Sequence, residues 1–193
     1  GIQKCTGDFV GFLDADDVLR EDYVGSLLEV VEKQSENIDV ICFGFLEGTE
    51  IAWEDTCLDN EYYCEIFNTL DERKSVYRGI IEGKLSGAMW SKLFKADVIK
   101  NVDLDINLIR DKRYGEDAFQ SFSILAKAEC IVILKKQLYF YRINLQGASK
   151  VSEIRQMDYF NTRYVFEVLE QNLANWDMDS EEYQKILQAR NFN

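Results

Sequence analysis

Histidine is missing from all 193 residues of this chain, and so is proline. The first absence removes whole classes of chemistry: Ser-His and Cys-His nucleophilic pairs, histidine general bases and imidazole metal ligands. Any reaction must rest on carboxylates, Lys, Arg, Tyr and Ser. To the lack of proline we attach no function. Basic residues are scarce as well. Lys and Arg number 22 against 35 Asp and Glu, for a formal net charge of −13, and the pI is about 4.5. A binder of phosphate backbone shows a basic patch or a high pI, so no nucleic acid is expected as a partner. No apolar run approaches the roughly 20 residues that span a bilayer, and no signal peptide is expected ahead of the first strand. The chain reads as soluble and cytoplasmic, with the inner face of a membrane as an alternative location. Its five cysteines, Cys5, Cys42, Cys57, Cys64 and Cys130, are odd in number and lack the close pairs of zinc or redox motifs. Reduced, mostly buried thiols are expected.

What is present is enough apolar content, 47%, to bury a core in one α/β domain. The chain is organised around Asp8-Phe9-Val10-Gly11-Phe12-Leu13-Asp14-Ala15-Asp16-Asp17. An apolar run short enough for one strand ends there in three carboxylates within four residues. A buried strand of an open α/β sheet delivers the residues after it to the sheet's carboxyl edge, where such folds bind ligands. Crowded carboxylates repel one another, and Mg²⁺ or Mn²⁺ would relieve the repulsion. An acidic turn that caps the next helix fits the same residues, since Asp17 and the following Arg20-Glu21-Asp22 suit a helix start.

Along the chain, Ile2 and Cys5 fit the buried face of a short helix ending near Gly7. Tyr23, Leu27, Leu28, Val30 and Val31 recur at helical spacing up to Lys33. Ile38 to Phe45 reads as a second buried strand, giving a βαβ-like start. Residues 46–60 suggest a hairpin or excursion, and Glu61 to Asn68 carries no assignment. Leu70 to Glu82 is helical, with Gly83 as its stop. Leu85-Ser86-Gly87-Ala88 precedes Met89-Trp90-Ser91-Lys92-Leu93-Phe94, small residues that suit close approach to a ligand or a packed strand, and a short helix runs from Ala96 to Lys100. Asn101 to Arg113 is loop-like. Tyr114-Gly115-Glu116-Asp117 opens a helix with Phe119, Phe122, Ile124 and Leu125 inward. Cys130 to Leu134 and Leu138 to Arg142 read as two short strands split by Lys135-Lys136-Gln137, and Ser152 to Gln171 and Ser180 to Arg190 as two helices.

The order of these motifs resembles a family 2 glycosyltransferase of the GT-A fold. Gly1-Ile2 followed by the strand into Asp14-Ala15-Asp16 is similar to that family's glycine-isoleucine helix end and Asp-x-Asp motif. Trp90-Ser91-Lys92-Leu93 resembles its Trp-Asn-Lys-Leu segment, with Ser91 in place of Asn. Gly115-Glu116-Asp117 resembles its Gly-Glu-Asp motif, and Tyr139-Phe140-Tyr141-Arg142 with Asn144 and Ser149 its Tyr-Arg segment. The resemblance implies a partial GT-A fold, a mixed sheet flanked by helices. Residues 1–150 would be the carboxyl-terminal part of the catalytic domain and residues 151–193 a helical extension packed on it. The strands that hold the nucleotide's base and ribose in the family are expected to be missing ahead of Gly1. Their place is beside the strand Phe9 to Leu13, and a homodimer or the terminal helices would then cover that edge.

The implied activity is inverting transfer of a sugar from a nucleotide-diphosphate sugar to a saccharide or lipid-linked acceptor, in polysaccharide or cell-surface glycan synthesis, with this piece alone expected to be inactive. Asp16, with Asp14, would ligate the divalent metal, Mn²⁺ or Mg²⁺, and Asp14 would contact ribose or sugar hydroxyls. Asp17 would assist the metal or cap the helix. Asp117 would be the base, with Glu116 beside it at the donor; Trp90 would stack on a sugar ring or fill the core. Lys92 and Arg142 would pair with donor phosphates or lie in solvent. Two other readings remain. Phe12-Leu13-Asp14-Ala15-Asp16-Asp17-Val18 also fits a haloacid dehalogenase-type phosphatase with Asp14 as nucleophile and Asp16 as acid/base, although Gln120 and Ser121 stand where that family's further acid is needed. A truncated, non-catalytic scaffold is the other.

Overall fold

The computed structural model describes residues 1–34, 37–53, 64–102, 116–143, 167, 169–178 and 180–191. Six strands form one mixed sheet: β1 (Phe9–Gly11), β2 (Val18–Leu19), β3 (Val40–Gly48), β4 (Cys64–Phe67), β5 (Lys92–Lys95) and β6 (Ile131–Arg142). Their order is β1-β5-β3-β6-β2, with β4 also paired to β6. Among the described residues the helices are α1 (Tyr23–Lys33), α2 (Leu70–Ile81), α3 (Ala96–Asn101), α4 (Glu116–Leu125) and α5 (Glu181–Asn191), and residues 169–173 are helical as well.

Alternation along the strands divides the core in two. On one face Val40, Cys42, Phe94 and Ile131 pack with α2, α3, α4, Leu173, Trp176 and Leu187. On the other, Ile41, Phe43, Val132 and Tyr139 pack with Tyr23, Leu27 and Val30 of α1. The helices read from periodicity that fall within the described residues form where their apolar stripes predict, while the one read over Ser152 to Gln171 lies mostly outside those residues. Local chemistry sets their ends: Thr69 and Glu72 make a reciprocal capping box at the start of α2, and Gly83 ends it at φ 71°, a conformation that costs glycine little.

Three sequence readings need correction. The first strand is only three residues long and lies at a sheet edge, with Val10 its one buried residue. The βαβ-like start is not a pair of neighbours, because β5 lies between β1 and β3, antiparallel to both. The two short strands 130–134 and 138–142 are one strand, β6. It runs parallel to β3 and absorbs Lys135 and Lys136 through a register shift before the Gly44–Gln137 pair, so the polar stretch becomes a bulge rather than a turn. Residues 64–67, unassigned from sequence, form β4 against the first half of β6. The 150/151 division falls outside the described residues. Beyond it, Trp176 stacks on Tyr77 of α2 at 4.4 Å between ring centroids.

Candidate active site

The turn after β1 is held from the far end of β6. The Tyr139 hydroxyl donates to Asp17 Oδ2 at 2.6 Å and accepts from the Asp14 amide at 3.2 Å. The Arg142 amide donates to Asp17 Oδ1 at 2.8 Å, and Arg142 Nε donates to the Asp16 carbonyl at 2.9 Å. Both Asp17 oxygens therefore have partners within the protein. Asp17 ties the turn to β6, and it does not cap α1, whose N-cap residue is Asp22. Asp14 and Asp16 are left exposed at the tip.

Asp117 stands in the first turn of α4 and faces this tip. Burial is the main cause that raises the Asp14 carboxyl above the ordinary carboxylate range, and the negative charges of Asp17, Asp117 and Asp16 add to it. Asp117 is itself raised by burial, while the Met89 backbone and the Lys92 charge pull it back. A carboxylate raised in this way is more basic than a surface acid, as a general base requires.

The segment between α2 and β5 supplies the remaining groups. Met89 and Trp90 straddle the sheet's end: Met89 enters the α4 face of the core, and Trp90 packs on the α1 face. The indole of Trp90 stacks on Tyr139 at 4.5 Å and on Tyr141 at 5.6 Å and meets Phe45 edge-on at 4.8 Å. It thus braces the tyrosine that braces the acidic turn. Lys92 is placed neither in solvent nor at an open phosphate site. It is 1% exposed, and its Nζ donates to the Ser86 and Ala88 carbonyls at 2.6 and 2.8 Å and to Ser91 Oγ at 3.3 Å. Of the small residues, Gly87 serves packing: a Cβ there would lie 2.9 Å from Ala118 Cβ and 3.1 Å from the Phe122 ring of α4.

The structure thus sets Asp117 within electrostatic reach of Asp14 and clamps the turn that carries Asp14 and Asp16 with Tyr139 and Arg142. The Glu116 side chain, Gly115, Asn144 and Ser149 lie outside the described residues. Tyr139 and Asp17 as a bonded pair escaped the sequence reading, which had only the proximity of Tyr139 to Arg142 to go on. Among the described residues, no group of three or more His, Cys, Asp or Glu side chains is gathered as a metal site, and no helix is long and apolar enough to cross a membrane.

Comparison with known proteins bears on this geometry. Residues 1–89 match the model of glycosyl transferase family 2, a match that contains the acidic turn and stops just before Trp90. The glycosyltransferase GlyA of Streptococcus pneumoniae is 26% identical over 154 residues, 78% of this chain and 21% of that protein. EpsH of Bacillus subtilis is 30% identical over 151 residues, 76% of this chain and 41% of that protein. The chain therefore spans well under half the length of these relatives. The crystal structure of Staphylococcus aureus TarS 1–349 in complex with UDP superposes with a TM-score of 0.58 at 16% identity, covering 100% of this chain and 48% of that one. The resemblance carried by the motifs holds: the chain matches glycosyl transferase family 2 over residues 1–89, and its architecture is part of a GT-A fold.

Proposed function

We propose that this chain carries acceptor-activating and diphosphate-binding parts of an inverting glycosyltransferase, which moves a sugar from a nucleotide-diphosphate sugar to a saccharide or lipid-linked hydroxyl. The observation that carries the reading is that Asp117, at the start of α4, acts electrostatically on Asp14 of the acidic turn after β1, which comes from a distant part of the sequence. A clustered pair to receive a charged donor and a separate, more basic carboxylate to receive a proton are what single-displacement transfer needs. The family match over the acidic turn and the UDP bound by the structural neighbour support a nucleotide-linked donor.

In this reading Asp117 accepts the proton of the acceptor hydroxyl as the oxygen attacks the anomeric carbon from the side opposite the leaving diphosphate. Asp14 and Asp16, with Glu116 and Arg142, contact the donor. The residues present fit a divalent cation in part. Asp14 and Asp16 offer exposed hard oxygen ligands at a point of crowded negative charge, whereas Asp17 is occupied by Tyr139 and Arg142. Mn²⁺ or Mg²⁺ held there would neutralise charge on the leaving diphosphate. The other ligands would have to come from the donor.

The test is Asp117→Asn in the natural full-length protein, assayed with a panel of labelled nucleotide sugars. Transfer should fall by about 10² to 10⁴, the usual contribution of a positioned base, with donor binding retained. Turnover at the normal rate would refute the assignment of the base.

A further inference from the structure

We infer that Tyr139 is a positioning residue for donor binding: its phenol closes the Asp14–Asp17 turn and keeps Asp17 as an anchor, so that only the Asp14 and Asp16 carboxylates are presented to the donor. The inference rests on the reading of this turn as the donor site. Three carboxylates within four residues repel one another, and such a turn keeps one shape only where its polar groups are tied down. The Asp17 amide donates to the Asp14 carbonyl at 3.2 Å, which closes a β-turn over Ala15 and Asp16. One atom then spans the two ends of that turn. The Tyr139 oxygen donates to Asp17 Oδ2 at 2.6 Å and accepts from the Asp14 amide at 3.2 Å.

Arg142 completes the fixing from the same strand. Its amide donates to Asp17 Oδ1 at 2.8 Å and its Nε to the Asp16 carbonyl at 2.9 Å, and β2 follows at once, pairing Val18 with Phe140 and Leu19 with Tyr139. Both Asp17 oxygens are thereby committed, and Asp17 is a ligand of neither metal nor donor. The ring that carries the phenol is held as firmly. Tyr139 is 0% exposed, and Trp90 stacks on it at 4.5 Å with 17° between the planes, and on Tyr141 at 5.6 Å with 14°. Trp90 therefore serves the acidic turn through Tyr139, not as a platform for a sugar. A residue buried in this way touches no donor. It acts as the outer partners of metal-ligating side chains do, whose loss costs about 10- to 100-fold in affinity.

The experiment is calorimetric titration of the natural full-length protein with UDP and Mn²⁺, for the wild type, Tyr139→Phe, Asp17→Ala and the double variant. Each single variant should weaken binding by about 10- to 100-fold, and the double variant should lose no more than the worse single one, because both remove the same bond. Thr69→Ala, which lowers stability at the capping box of α2, should leave the affinity unchanged. Unchanged affinity in Tyr139→Phe overturns the inference, and so does an equal loss in Thr69→Ala, which would make the effect one of stability alone. Losses that add in the double variant overturn it as well, by making Asp17 a ligand in its own right. If Tyr139→Phe or Asp17→Ala does not fold, a crystal structure of the wild type with UDP and Mn²⁺ decides: Asp17 still on Tyr139 and Arg142 upholds the inference, and an Asp17 oxygen on the metal overturns it. A wild type with no affinity for UDP and Mn²⁺ would remove the reading of the turn as a donor site and the positioning role with it, whereas the outcomes above remove the positioning role alone.

Discussion

Replacing Tyr139 by Phe deletes one oxygen, and that oxygen is bonded on two sides, to Asp17 and to the Asp14 amide. Since Tyr139 is wholly buried and one partner is a carboxylate, the loss should cost about 1.5–3 kcal/mol, the range for hydrogen bonds to charged groups. Denaturant unfolding of Tyr139→Phe would measure it, and a change below a few tenths of a kcal/mol would show that the clamp is not rigid. Lys92 supports a second expectation at this scale. Burial lowers its ammonium from 10.5 to about 8, so between those values the unfolded chain holds the proton that the folded chain has released. The burden of the buried charge is then present in full below about pH 8 and is relieved as pH rises toward 10.5. The thermal midpoint of the wild type should rise relative to that of Lys92→Met between about pH 8 and 10.5. A constant difference would mean that Lys92 does not titrate in that window. Nothing in the sequence around Lys92 distinguishes a buried lysine from an exposed one. Its fate depends on carbonyls that turn toward it only once Gly87 has seated the segment on α4.

At the scale of elements, legibility followed locality. The stripe of Tyr23, Leu27 and Val30 and that of Val76, Ile80 and Ile81 are written within one helix each, and both helices formed as read. Sheet order is not local: nothing in Phe9–Gly11 or Val40–Gly48 announces that Lys92–Lys95 will come between them. The continuity of β6 through Lys135-Lys136-Gln137 is likewise supplied by partners, since Lys135 pairs with Glu65 of β4 and Lys136 with Asp22. These ion pairs give the polar residues of the bulge a place on the sheet that hydrophobic pattern alone cannot foresee. The site was half legible for the same reason: the acids were visible as motifs, whereas their convergence needed α4 to cross the sheet end. The capping box allows a separate test. Thr69 Oγ1 accepts from the Glu72 amide at 3.2 Å and Glu72 Oε2 from the Thr69 amide at 3.0 Å, so Thr69→Ala should destabilise the fold by about 1 kcal/mol. An unchanged denaturation midpoint would show that α2 is fixed by packing alone, through Val76, Tyr77, Ile80 and the stacked Trp176.

For the molecule as a whole, charge decides the response to ions. Thirty-five acidic and 22 basic side chains leave a net −13, and the exposed pairs that offset it, such as Lys33–Glu29 and Lys185–Glu181, are each worth at most about 1 kcal/mol. Self-repulsion should therefore outweigh them. Raising NaCl from about 0.01 M to about 0.15 M shortens the screening length from roughly 30 Å to roughly 8 Å, and the thermal midpoint should rise by a few degrees. General screening and a specific cation are separable in the same measurement. At matched ionic strength MgCl₂ or MnCl₂ should raise the midpoint further than NaCl, because an ion that binds only the folded state adds its binding free energy to stability. Asp16→Ala should abolish that excess and leave the NaCl response intact, since it removes one exposed ligand and only one of 35 acids. Equal responses to MgCl₂ and NaCl in the wild type would mean that the acidic turn holds no cation unless donor phosphates complete the ligand set, and the experiment repeated on the natural full-length protein with UDP present would then show the excess. If it stayed absent with UDP bound, the metal reading of Asp14 and Asp16 would fall.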